Sequence, residues 1–452
     1  MKIDFNLLAE RYFQESINLL GQLIKYRSVM DLSDPDYPFG SENDQALDFI
    51  LQTCNNIGLE TYKDQEKYYG YADFGKSDKI FVVFCHLDVV NPGNFDEWIY
   101  DPFKLTEVEG KLYGRGTFDD KGPTVNNIMA VKYLKDHGFA GEYKIRLFFG
   151  VDEENENRCV KKYLQDFGQP DLGYVPDACF PYVFGEKHLA WINITGEENL
   201  DYAIKSGDTY NIIDAKATYE GSKIKLLQEN LNKRGIINNN LNNSIEIFGK
   251  QAHAGLPNLG ISPVMLLSEA LKETKIKGNM IDFINSYLIN NYDLKAIFGN
   301  LEDESGTLTF GLSIVDINQN NQRIALQIDI PATVDYQSEI ITGFEKILKN
   351  FNLKIETHHF NKGFLFDQNH WMLKIMLDSF TEVTKDFNTL PCAIGGGTYA
   401  KEIDNAVAFG GALNLENLTL HGVNEWVYKE EYQKQLLIYT KALAEICSHK
   451  SK

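Results

Sequence analysis

Histidines and carboxylates follow the ends of two apolar segments of the chain. His86 and Asp88 come directly after one segment, and the run Asp152-Glu153-Glu154 follows the other. Imidazole and carboxylate groups are ligands for divalent ions such as zinc, manganese and cobalt. Adjacent acids repel one another unless cations or protons relieve them, and one of them could ligate while its neighbour moves a proton. A strand-end histidine with a capping aspartate, and a solvated acidic loop, are the alternative interpretations of these segments.

A glycine-rich segment with two aspartates offers further anionic ligands. The run from Gly114 to Gly122 reads GRGTFDDKG and precedes a helix with a proline in its first turn. Backbone N–H groups and the helix dipole favour negative charge at such a position, so Asp119 or Asp120 could bridge two cations. A helix cap with a glycine turn explains the motif alone equally well. A dinucleotide-binding loop is excluded because the spacing is not GxGxxG.

Two more candidate ligands lie further along the chain. Asp177 follows Pro176 after another short apolar run, and His421 begins the sequence HGVNE in a predicted loop before a helix. A lone aspartate or a lone histidine is weak evidence. Together with His86 and the earlier acids, however, they predict a site for a hard or borderline divalent ion, built from histidine and carboxylate rather than cysteine.

The elements that must position these residues alternate between strand and helix. Lys79–Cys85 and Tyr143–Val151 are short apolar runs typical of buried strands, and Pro123–His137 and Arg158–Phe167 have helical spacing. Strands that alternate with helices predict a parallel sheet with crossover helices. Open sheets of this kind bind ligands at the carboxyl ends of their strands, which is where the candidate ligands fall.

The middle of the chain has a different pattern. Between about residues 188 and 365, strand-like runs are separated by Asn/Gly turns and helical stretches, which predicts an α+β domain on antiparallel strands. Within it, Asn238–Asn243 reads NNNLNN and is predicted to be a polar turn. The first pattern returns after about residue 366. The sequence therefore predicts an α/β domain with a mainly parallel sheet and flanking helices, formed by residues 1–187 and 366–452, with residues 188–365 inserted.

The composition of the chain is acidic. With 44 Lys and Arg against 64 Asp and Glu, the formal charge of the 452 residues is −20. Such a surface repels nucleic acid and anionic membranes, so neither is expected as a partner, and no apolar run reaches the length of a bilayer span. The N-terminal 24 residues predict an amphipathic helix rather than a signal peptide. The six scattered cysteines are expected to be reduced thiols of a cytoplasmic protein.

Five ordered motifs carry a resemblance to a known family. They are His86-x-Asp88, Gly116-x-x-Asp119-Asp120-Lys121-Gly122, Glu153-Glu154, Pro176-Asp177 and His421-Gly422-x-Asn424-Glu425. This set resembles the dinuclear metallopeptidases that include aminoacylase, succinyl-diaminopimelate desuccinylase, carnosinase and bacterial dipeptidases. The phrases HLDVV, GRGTFDDKGP, PDACFP and GGGTYA are most similar to the dipeptidase V branch. The resemblance spans nearly the whole chain.

The resemblance implies two divalent ions and their ligands. His86, Asp119 and Asp177 would hold one ion. Asp119, Glu154 and His421 would hold the other, so that Asp119 bridges the two. Zinc is the expected metal, with manganese or cobalt as alternatives. The peptide bond after Asp119 is often cis in this family.

The resemblance also implies the groups that act on the substrate. Glu153 would be the general base that takes a proton from the activated water and passes it to the leaving amine, while Asp88 would orient His86. The family uses the inserted domain as a lid. There, Gln251–Gly255 resembles a segment whose histidine reaches over the substrate, so His253 would stabilise the oxyanion. Its alternative is a loop histidine that meets only solvent. Asn211 resembles a second substrate-contacting position.

A triple glycine is a further candidate for substrate binding. Gly395, Gly396, Gly397 and Thr398 could form a nest of N–H groups that receives a substrate carboxylate. A flexible turn before a helix accounts for the same residues about as well.

One position departs from the family pattern. Many relatives carry an arginine after an Asp-Ile or similar pair, where it grips the terminal carboxylate of the substrate, but here Asp329-Ile330 is followed by Pro331. Proline has neither the charge nor the N–H donors of that arginine. Either another cation such as Arg323 or Lys250 takes over, or the substrate differs from a free dipeptide.

The sequence as a whole predicts a metal-dependent dipeptidase that acts on a small peptide substrate. N-acyl-amino-acid deacylation stays open because the metal ligands do not separate the two activities. A non-catalytic binding protein that retains the metals also stays open, although the presence of Glu153 favours catalysis. The inserted region, roughly 180 residues, is long enough for two subdomains, which favours a monomer over a homodimer.

Overall fold

The computed structural model describes residues 2–413 and 421–450. The chain divides into two compact units. The first consists of Met1–Phe184, Phe366–Cys392 and Thr398–Lys452, and the second of Gly185–Leu365 and Ala393–Gly397. The second unit therefore consists of a long insertion in the first unit and a short segment from later in the chain.

Four parallel strands form the centre of the sheet in the first unit. Their order is Lys144–Gly150, Ile80–His86, Leu172–Val175 and Ala406–Ala408. Antiparallel strands flank this centre: Tyr69–Phe74 and Glu60–Lys63 on one side, and Val183–Glu186 on the other. Residues 81–86 are buried without interruption, as expected of a strand with helices on both faces. The predicted α/β fold with a mainly parallel sheet is confirmed.

Six main helices belong to the first unit. They are Phe13–Leu23, Ser41–Asn56, Lys121–Asp136, Arg158–Phe167, Trp371–Thr384 and Lys429–Ser448. Lys121–Asp136 is buried along most of its length because it packs on strand Ile80–His86 and between the first and the last of these helices. Asn126 of this helix is hydrogen-bonded to both of these neighbouring helices. Ser16 Oγ donates to Asn126 Oδ1 (2.7 Å), and Asn126 Nδ2 donates to the Tyr432 carbonyl (2.9 Å).

The N-terminal segment is helical, as its apolar spacing predicts. Helix Phe5–Leu7 continues without a break through Leu8–Tyr12 into Phe13–Leu23. Leu8, Leu20 and other apolar residues of this run are buried. Within residues 2–413 and 421–450, none of the helices combines the length and the apolar character needed to span a membrane.

The second unit is built on one antiparallel sheet. Its eight strands run in the order Asn238–Asn240, Ser244–Phe248, Lys216–Glu220, Ala203–Ser206, Thr309–Ile317, Gln322–Ile330, His188–Gly196 and Leu353–Asn361. Helices Ile224–Lys233, Pro263–Thr274 and Thr342–Leu348 bury their apolar residues in the same core as the sheet. The unit therefore has the α+β composition that the sequence predicts.

The prediction of a polar turn at Asn238–Asn243 is wrong for its first half. Asn238–Asn240 is an edge strand paired with Ser244–Phe248, and only the next three residues form the turn. Asparagine is a poor strand former, but the amides find local partners, as where Asn240 Nδ2 donates to Gln228 Oε1 (2.9 Å). Pairing with the neighbouring strand outweighs the weak propensity.

Candidate metal centre

Three adjacent parallel strands place candidate ligands at one edge of the first unit's sheet. His86 is the last residue of Ile80–His86, and the two strands hydrogen-bonded to it lead into Glu153 and Asp177. Because parallel strands end at the same edge, their side chains converge there. The positions follow from strand order and not from nearness in sequence.

A small second sheet places two other candidate ligands side by side. Strand Lys111–Tyr113 precedes the loop that carries Asp119, and strand Trp426–Tyr428 follows the loop that carries His421. The two strands pair antiparallel, with Thr106–Val108 as the third member of the sheet. Residues about 300 positions apart in the chain are thereby held next to each other.

Asp119 lies between two histidines. Its Oδ1 is 3.0 Å from His86 Nε2, and its Oδ2 is 3.3 Å from His421 Nε2. His421 Nε2 is also 3.1 Å from Glu154 Oε2, and His86 Nε2 is 4.0 Å from Asp177 Oδ2. Each oxygen of Asp119 thus faces a different histidine, which is the arrangement that a bridging carboxylate requires.

The donor atoms fit divalent cations. In two groups, His86 with Glu153 and Asp177, and His86 with Asp119 and Glu154, all ligand atoms lie within 4.8 Å of one another. Ligand atoms of a tetrahedral zinc ion are about 3.3 Å apart, inside the range of 3.0 to 4.0 Å measured between the histidine and carboxylate atoms. Nitrogen and carboxylate oxygen are also the donors that zinc and manganese accept.

The acids of this cluster repel one another. Burial, and next the charge of Asp119, raises the pKa of Glu154 to about 7 and that of Asp177 to about 6. Burial, opposed in part by His86, raises the pKa of the Glu153 carboxyl well above its usual range. Without cations, these groups are driven to take up protons. Bound cations would relieve the same repulsion directly.

The two histidines interact with the same acids. Burial alone would lower the pKa of His86, but hydrogen bonds to Asp119 and Asp88 raise it well above its usual value. The pKa of His421 rises to about 11, first through its hydrogen bond to Asp119 and then through that to Glu154. Because a metal needs unprotonated imidazole and ionised carboxylate, metal binding here must displace protons.

Of the two neighbouring aspartates, only one faces the histidine side chains. The Asp119–Asp120 peptide bond is cis, as the resemblance implies. Asp120 instead accepts hydrogen bonds at Oδ2 from the backbone N–H of His86 (3.1 Å) and from Thr124 Oγ1 (3.2 Å). It therefore ties the helix that follows to the strand that carries His86, and Asp119 is the candidate bridge.

Asp88 contacts two parts of the cluster. His86 Nδ1 is 3.0 Å from the backbone carbonyl of Asp88 and 3.5 Å from its carboxylate Oδ1. The nearer acceptor for the ring is the carbonyl, which is sufficient to orient the imidazole. The other carboxylate oxygen, Oδ2, accepts the backbone N–H of Glu154 (3.0 Å). The side chain thus also positions the loop that carries Glu153 and Glu154.

Glu425, to which the sequence motifs assign no role, holds the turn that precedes Asp119. Glu425 Oε1 accepts backbone N–H groups from Gly116 (3.0 Å) and Phe118 (2.9 Å). Glu425 Oε2 accepts a charge-assisted hydrogen bond from Arg115 Nη1 (2.7 Å). Both residues are 1% exposed. A carboxylate thus fills the turn that presents Asp119.

Arg115 extends this support to the other histidine. Its Nη2 donates to the backbone carbonyl of Gly422 (2.9 Å) and lies 3.5 Å from that of His421. One buried ion pair therefore joins the loop of Asp119 to the loop of His421. Both residues stand inside the motifs already quoted, but nothing in the sequence pairs position 115 with position 425.

The second unit brings two of its predicted substrate contacts together. Strand Ile212–Ile213 pairs antiparallel with Ala252–His253, and the backbone N–H of Ala254 donates to the carbonyl of Asn211 (2.8 Å). Asn211 and His253 are therefore neighbours. The His253 ring accepts the N–H of Gly255 at Nδ1 (3.1 Å).

The glycine segment predicted to bind the substrate carboxylate packs in part against Asp329. A β-carbon on Gly255 or Gly395 would come within 2.5 and 2.4 Å of Asp329 Oδ2, so the backbone of both segments packs against that carboxylate. Gly396 has room around it. In the first unit, Thr398 caps the short helix Tyr399–Glu402 by accepting the Ala400 N–H (3.1 Å).

Pro331 directly follows the strand Gln322–Ile330. Arg323 and Lys250, the two cations that could replace the family arginine, differ in their contacts. Arg323 donates from Nη2 to Tyr210 Oη (2.8 Å) and from Nε to Asn193 Oδ1 (2.9 Å). Lys250 is exposed, and its backbone pairs with that of Ile261. Arg323 is thus the one held in a defined position.

In the first unit, two histidines face one carboxylate. A comparison with known protein families agrees with this arrangement. Residues 82–445 match the model of peptidase family M20/M25/M40. The chain belongs to this family. It is therefore a peptide hydrolase, and the resemblance inferred from the five motifs is confirmed.

Family M20 relatives match this chain along nearly its full length. A protein named "Putative dipeptidase" from Staphylococcus saprophyticus is 27% identical over 442 residues, which is 92% of this chain and 93% of the relative. Another of the same name from Staphylococcus haemolyticus is 28% identical over 466 residues, 97% of this chain and 98% of the relative.

Solved structures share the M20 fold. The structure of human carnosine dipeptidase 1 is 15% identical with a TM-score of 0.59, and the alignment covers 98% of this chain and 99% of that one. The di-peptidase Dug1p from Saccharomyces cerevisiae is 14% identical with a TM-score of 0.57, over 98% and 99% of the two chains. At these identities, the likeness establishes the architecture.

Proposed function

We propose that this family M20 peptidase hydrolyses the amide bond of dipeptides at a centre of two divalent ions. The observation that carries the proposal is the position of Asp119, whose two oxygens face His86 and His421 at 3.0 and 3.3 Å. The curated relatives that align over nearly the full chain carry dipeptidase names, which supports the choice of substrate.

The proposed ligands divide into two sets that share one carboxylate. His86, Asp119 and Asp177 would hold one ion, and Asp119, Glu154 and His421 would hold the other. When bound, the ions supply Lewis acidity that polarises the substrate carbonyl and lowers the pKa of the attacking water. The protein holds the donor atoms in place through Asp88, Asp120 and the other groups behind them.

Glu153 is the proposed general base and acid. Its carboxylate takes the proton of the attacking water and then gives it to the nitrogen of the leaving amine. Its ligand atom lies within 4.8 Å of those of His86 and Asp177, so the side chain is close enough to the centre for this transfer. The same nearness would also let it ligate, and the variants below separate the two roles.

The second unit is proposed to act as a lid domain that contributes substrate contacts. His253 would donate a hydrogen bond to the carbonyl oxygen as negative charge develops on it, and Asn211, held beside it by the short strand pair, would contact the substrate as well. Gly396, Gly397 and Thr398 are proposed to receive the substrate carboxylate. These roles stay predictions.

Zinc is the proposed metal, since it accepts a mixed set of imidazole and carboxylate donors; manganese and cobalt are the alternatives. A cytoplasmic location is proposed because all six cysteines are free thiols, which suits a reducing compartment. A monomer is proposed over a homodimer.

The first experiment is a hydrolysis panel with metal-stripped protein, to which zinc, manganese or cobalt is added back. The panel holds free dipeptides, C-amidated dipeptides, tripeptides and N-acetyl or N-succinyl amino acids. Metal-dependent cleavage of the free dipeptides is expected. Cleavage confined to the acyl-amino acids would overturn the substrate but keep the chemistry. No cleavage by metal-loaded protein would favour a binding protein.

Variants of neighbouring glutamates separate catalysis from ligation. Glu153→Gln should keep the bound metal but lower kcat by on the order of 10²- to 10⁴-fold, because the proton acceptor is gone. Glu154→Gln should lose metal. Glu156→Gln is the matched control in the same loop, since that side chain is 73% exposed. Metal content by atomic absorption and kcat are measured for all three. Loss of metal in Glu153→Gln would make Glu153 a ligand.

A further inference from the structure

Two thiols of the first unit lie in contact. All six cysteines of the chain are free, and five of them are buried. Cys179 Sγ and Cys392 Sγ are 3.5 Å apart, although the residues are 213 positions apart in sequence. Among the described residues they are the one thiol pair within hydrogen-bonding distance. Cys179 is 3% exposed, whereas Cys392 is half-buried and so can be reached from solvent.

The contact between the two sulfur atoms joins the loop that follows Asp177 to the strand Cys392–Ile394. Cys179 lies two residues after the candidate ligand Asp177, in a segment where Ala178 has a φ of +93° and its N–H donates to Asp177 Oδ1 (2.7 Å). Cys392 begins the strand Cys392–Ile394, and its backbone N–H donates to the carbonyl of Tyr182 (3.3 Å). A bond between the sulfurs would therefore link the ligand-bearing loop to this strand.

We propose that Cys179 and Cys392 form a modification site at which a peroxide oxidises the two thiols to a disulfide, and that this bond weakens metal binding through Asp177. The second part rests on the proposed function, in which Asp177 is a ligand. Neither thiol has a role in the proposed hydrolysis.

The oxidation balances with hydrogen peroxide as the two-electron oxidant. The half-buried Cys392 thiolate attacks one peroxide oxygen, the O–O bond breaks, and the products are a Cys392 sulfenic acid and water once the leaving hydroxide takes up a proton. The sulfur of Cys179 then attacks the sulfenic sulfur, its proton leaves with the hydroxyl group as a second water, and the S–S bond forms. A dithiol reductant reverses the reaction by thiol–disulfide exchange.

The effect on the metal centre follows from the position of Asp177. Bonded sulfur atoms lie closer together than two thiols in contact, so at least one of the two side chains must move when the bond forms, and it pulls on the segment that carries it. On the Cys179 side, only Ala178 separates the cysteine from Asp177. Displacement of groups that orient a ligand typically weakens metal affinity by about 10- to 100-fold. The oxidised protein is therefore expected to bind zinc on the order of tenfold more weakly.

The chemical part is tested by mass spectrometry on the full-length, zinc-loaded protein. The protein is exposed to hydrogen peroxide, the remaining thiols are alkylated after unfolding, and the digest is analysed without reduction. We expect a peptide pair linked through Cys179 and Cys392 that dithiothreitol separates. The other four cysteines serve as internal controls and should be alkylated. A linked pair elsewhere, or Cys392 oxidised to its sulfinic acid without a link, would overturn the proposal.

The functional part is tested by zinc affinity, with zinc chloride as the probe in a calorimetric titration before and after oxidation. Wild type should lose on the order of tenfold in affinity and regain it with dithiothreitol. Cys392→Ser should be insensitive to peroxide, while the control Cys447→Ser, which removes a buried thiol with no thiol neighbour, should respond like wild type.

The outcomes separate this proposal from the proposed function. A linked pair with unchanged zinc affinity would overturn the inferred effect on Asp177. A linked pair with reduced zinc affinity would support it even if the protein cleaved none of the peptides in the panel, and in that case only the dipeptidase assignment would fail.

Discussion

At the scale of single residues, several of the buried acids of the first unit have a specific partner. Asp119 is placed between two histidines, and Glu425 is paired with Arg115 and with the backbone N–H groups of the turn beneath Asp119. Burying an unpaired charge is strongly unfavourable. Support of this kind therefore both permits the acidic cluster and holds its donor atoms at defined separations.

Replacing Glu425 should show whether the residue contributes to zinc affinity, to the free energy of unfolding, or to both. Glu425→Gln preserves the shape but leaves Arg115 buried without its carboxylate, so the free energy of unfolding should fall by about 3 to 5 kcal/mol. Zinc affinity should fall by roughly 10- to 100-fold, because Asp119 and His421 lose their common anchor. Urea unfolding and calorimetric zinc titration measure the two effects.

Glu430→Gln is the control for this variant, since Glu430 is 76% exposed and, within the described part of the chain, pairs with Lys434 on its own helix. Arg115→Lys should be intermediate, as it keeps the charge but loses the forked donor geometry. A Glu425→Gln protein that is less stable yet binds zinc as tightly as wild type would show that the residue acts on the fold alone.

At the scale of the elements, the centre depends on how closely the Asp119 loop approaches the helix that follows it. Gly122, in the first turn of helix Lys121–Asp136, donates its N–H to the carbonyl of Gly116 (2.9 Å). A β-carbon at Gly122 would lie 2.0 Å from the Thr117 carbonyl oxygen. The glycine is therefore required for a close backbone approach.

Gly122→Ala should move the loop that carries Asp119. Because the obstacle is backbone, we expect a loss of about 1 to 3 kcal/mol in unfolding free energy together with weaker zinc binding. Gly21→Ala is the matched control: it is also a helix glycine, but its β-carbon would meet Leu105 at an ordinary 3.5 Å. That variant should be as stable as wild type or up to about 1 kcal/mol more stable. Equal zinc affinity in both variants would contradict the expected shift of the loop.

At the scale of the whole molecule, the metal centre collects residues from nearly the full length of the chain. His86 and His421 contact the same aspartate, and the loops that carry them belong to distant parts of the first unit. Bound cations would neutralise the acids that repel one another in this unit. Metal binding is therefore expected to contribute to the stability of the folded chain, beyond its part in the reaction.

Removal of metal should lower the melting temperature. A ligand that binds only the folded state at 100 times its dissociation constant stabilises that state by about 2.7 kcal/mol, so adding zinc back to chelator-treated protein should raise the melting temperature. Asp119→Asn should abolish most of this increase because both ions of the proposed centre would share that carboxylate. Asp378→Asn, at a side chain that is 54% exposed, should behave like wild type. Identical melting curves with and without metal would contradict the expectation.

The pattern of apolar residues was sufficient to predict several of the elements that carry the candidate metal centre. Arg158–Phe167 has the bounds that its periodicity indicates, and the predicted strands Lys79–Cys85 and Tyr143–Val151 agree to within one residue at each end with Ile80–His86 and Lys144–Gly150. The spacing of apolar residues indicates whether a segment is a helix or a strand, and this spacing can be read from residues that are neighbours in the sequence. The edge strand Asn238–Asn240 was missed because its stability comes from a partner strand and not from its own composition.

By itself, the sequence determined the kind of chemistry, since residue types and their order identify a peptidase family and its candidate ligands. Only the tertiary structure decided that Asp119 lies 3.0 and 3.3 Å from the two histidines, that Arg115 pairs with Glu425, and that Cys179 touches Cys392. The physical reason is that donor distances of about 3 Å between residues far apart in sequence are set by packing and strand order. No pattern along the chain encodes these distances locally.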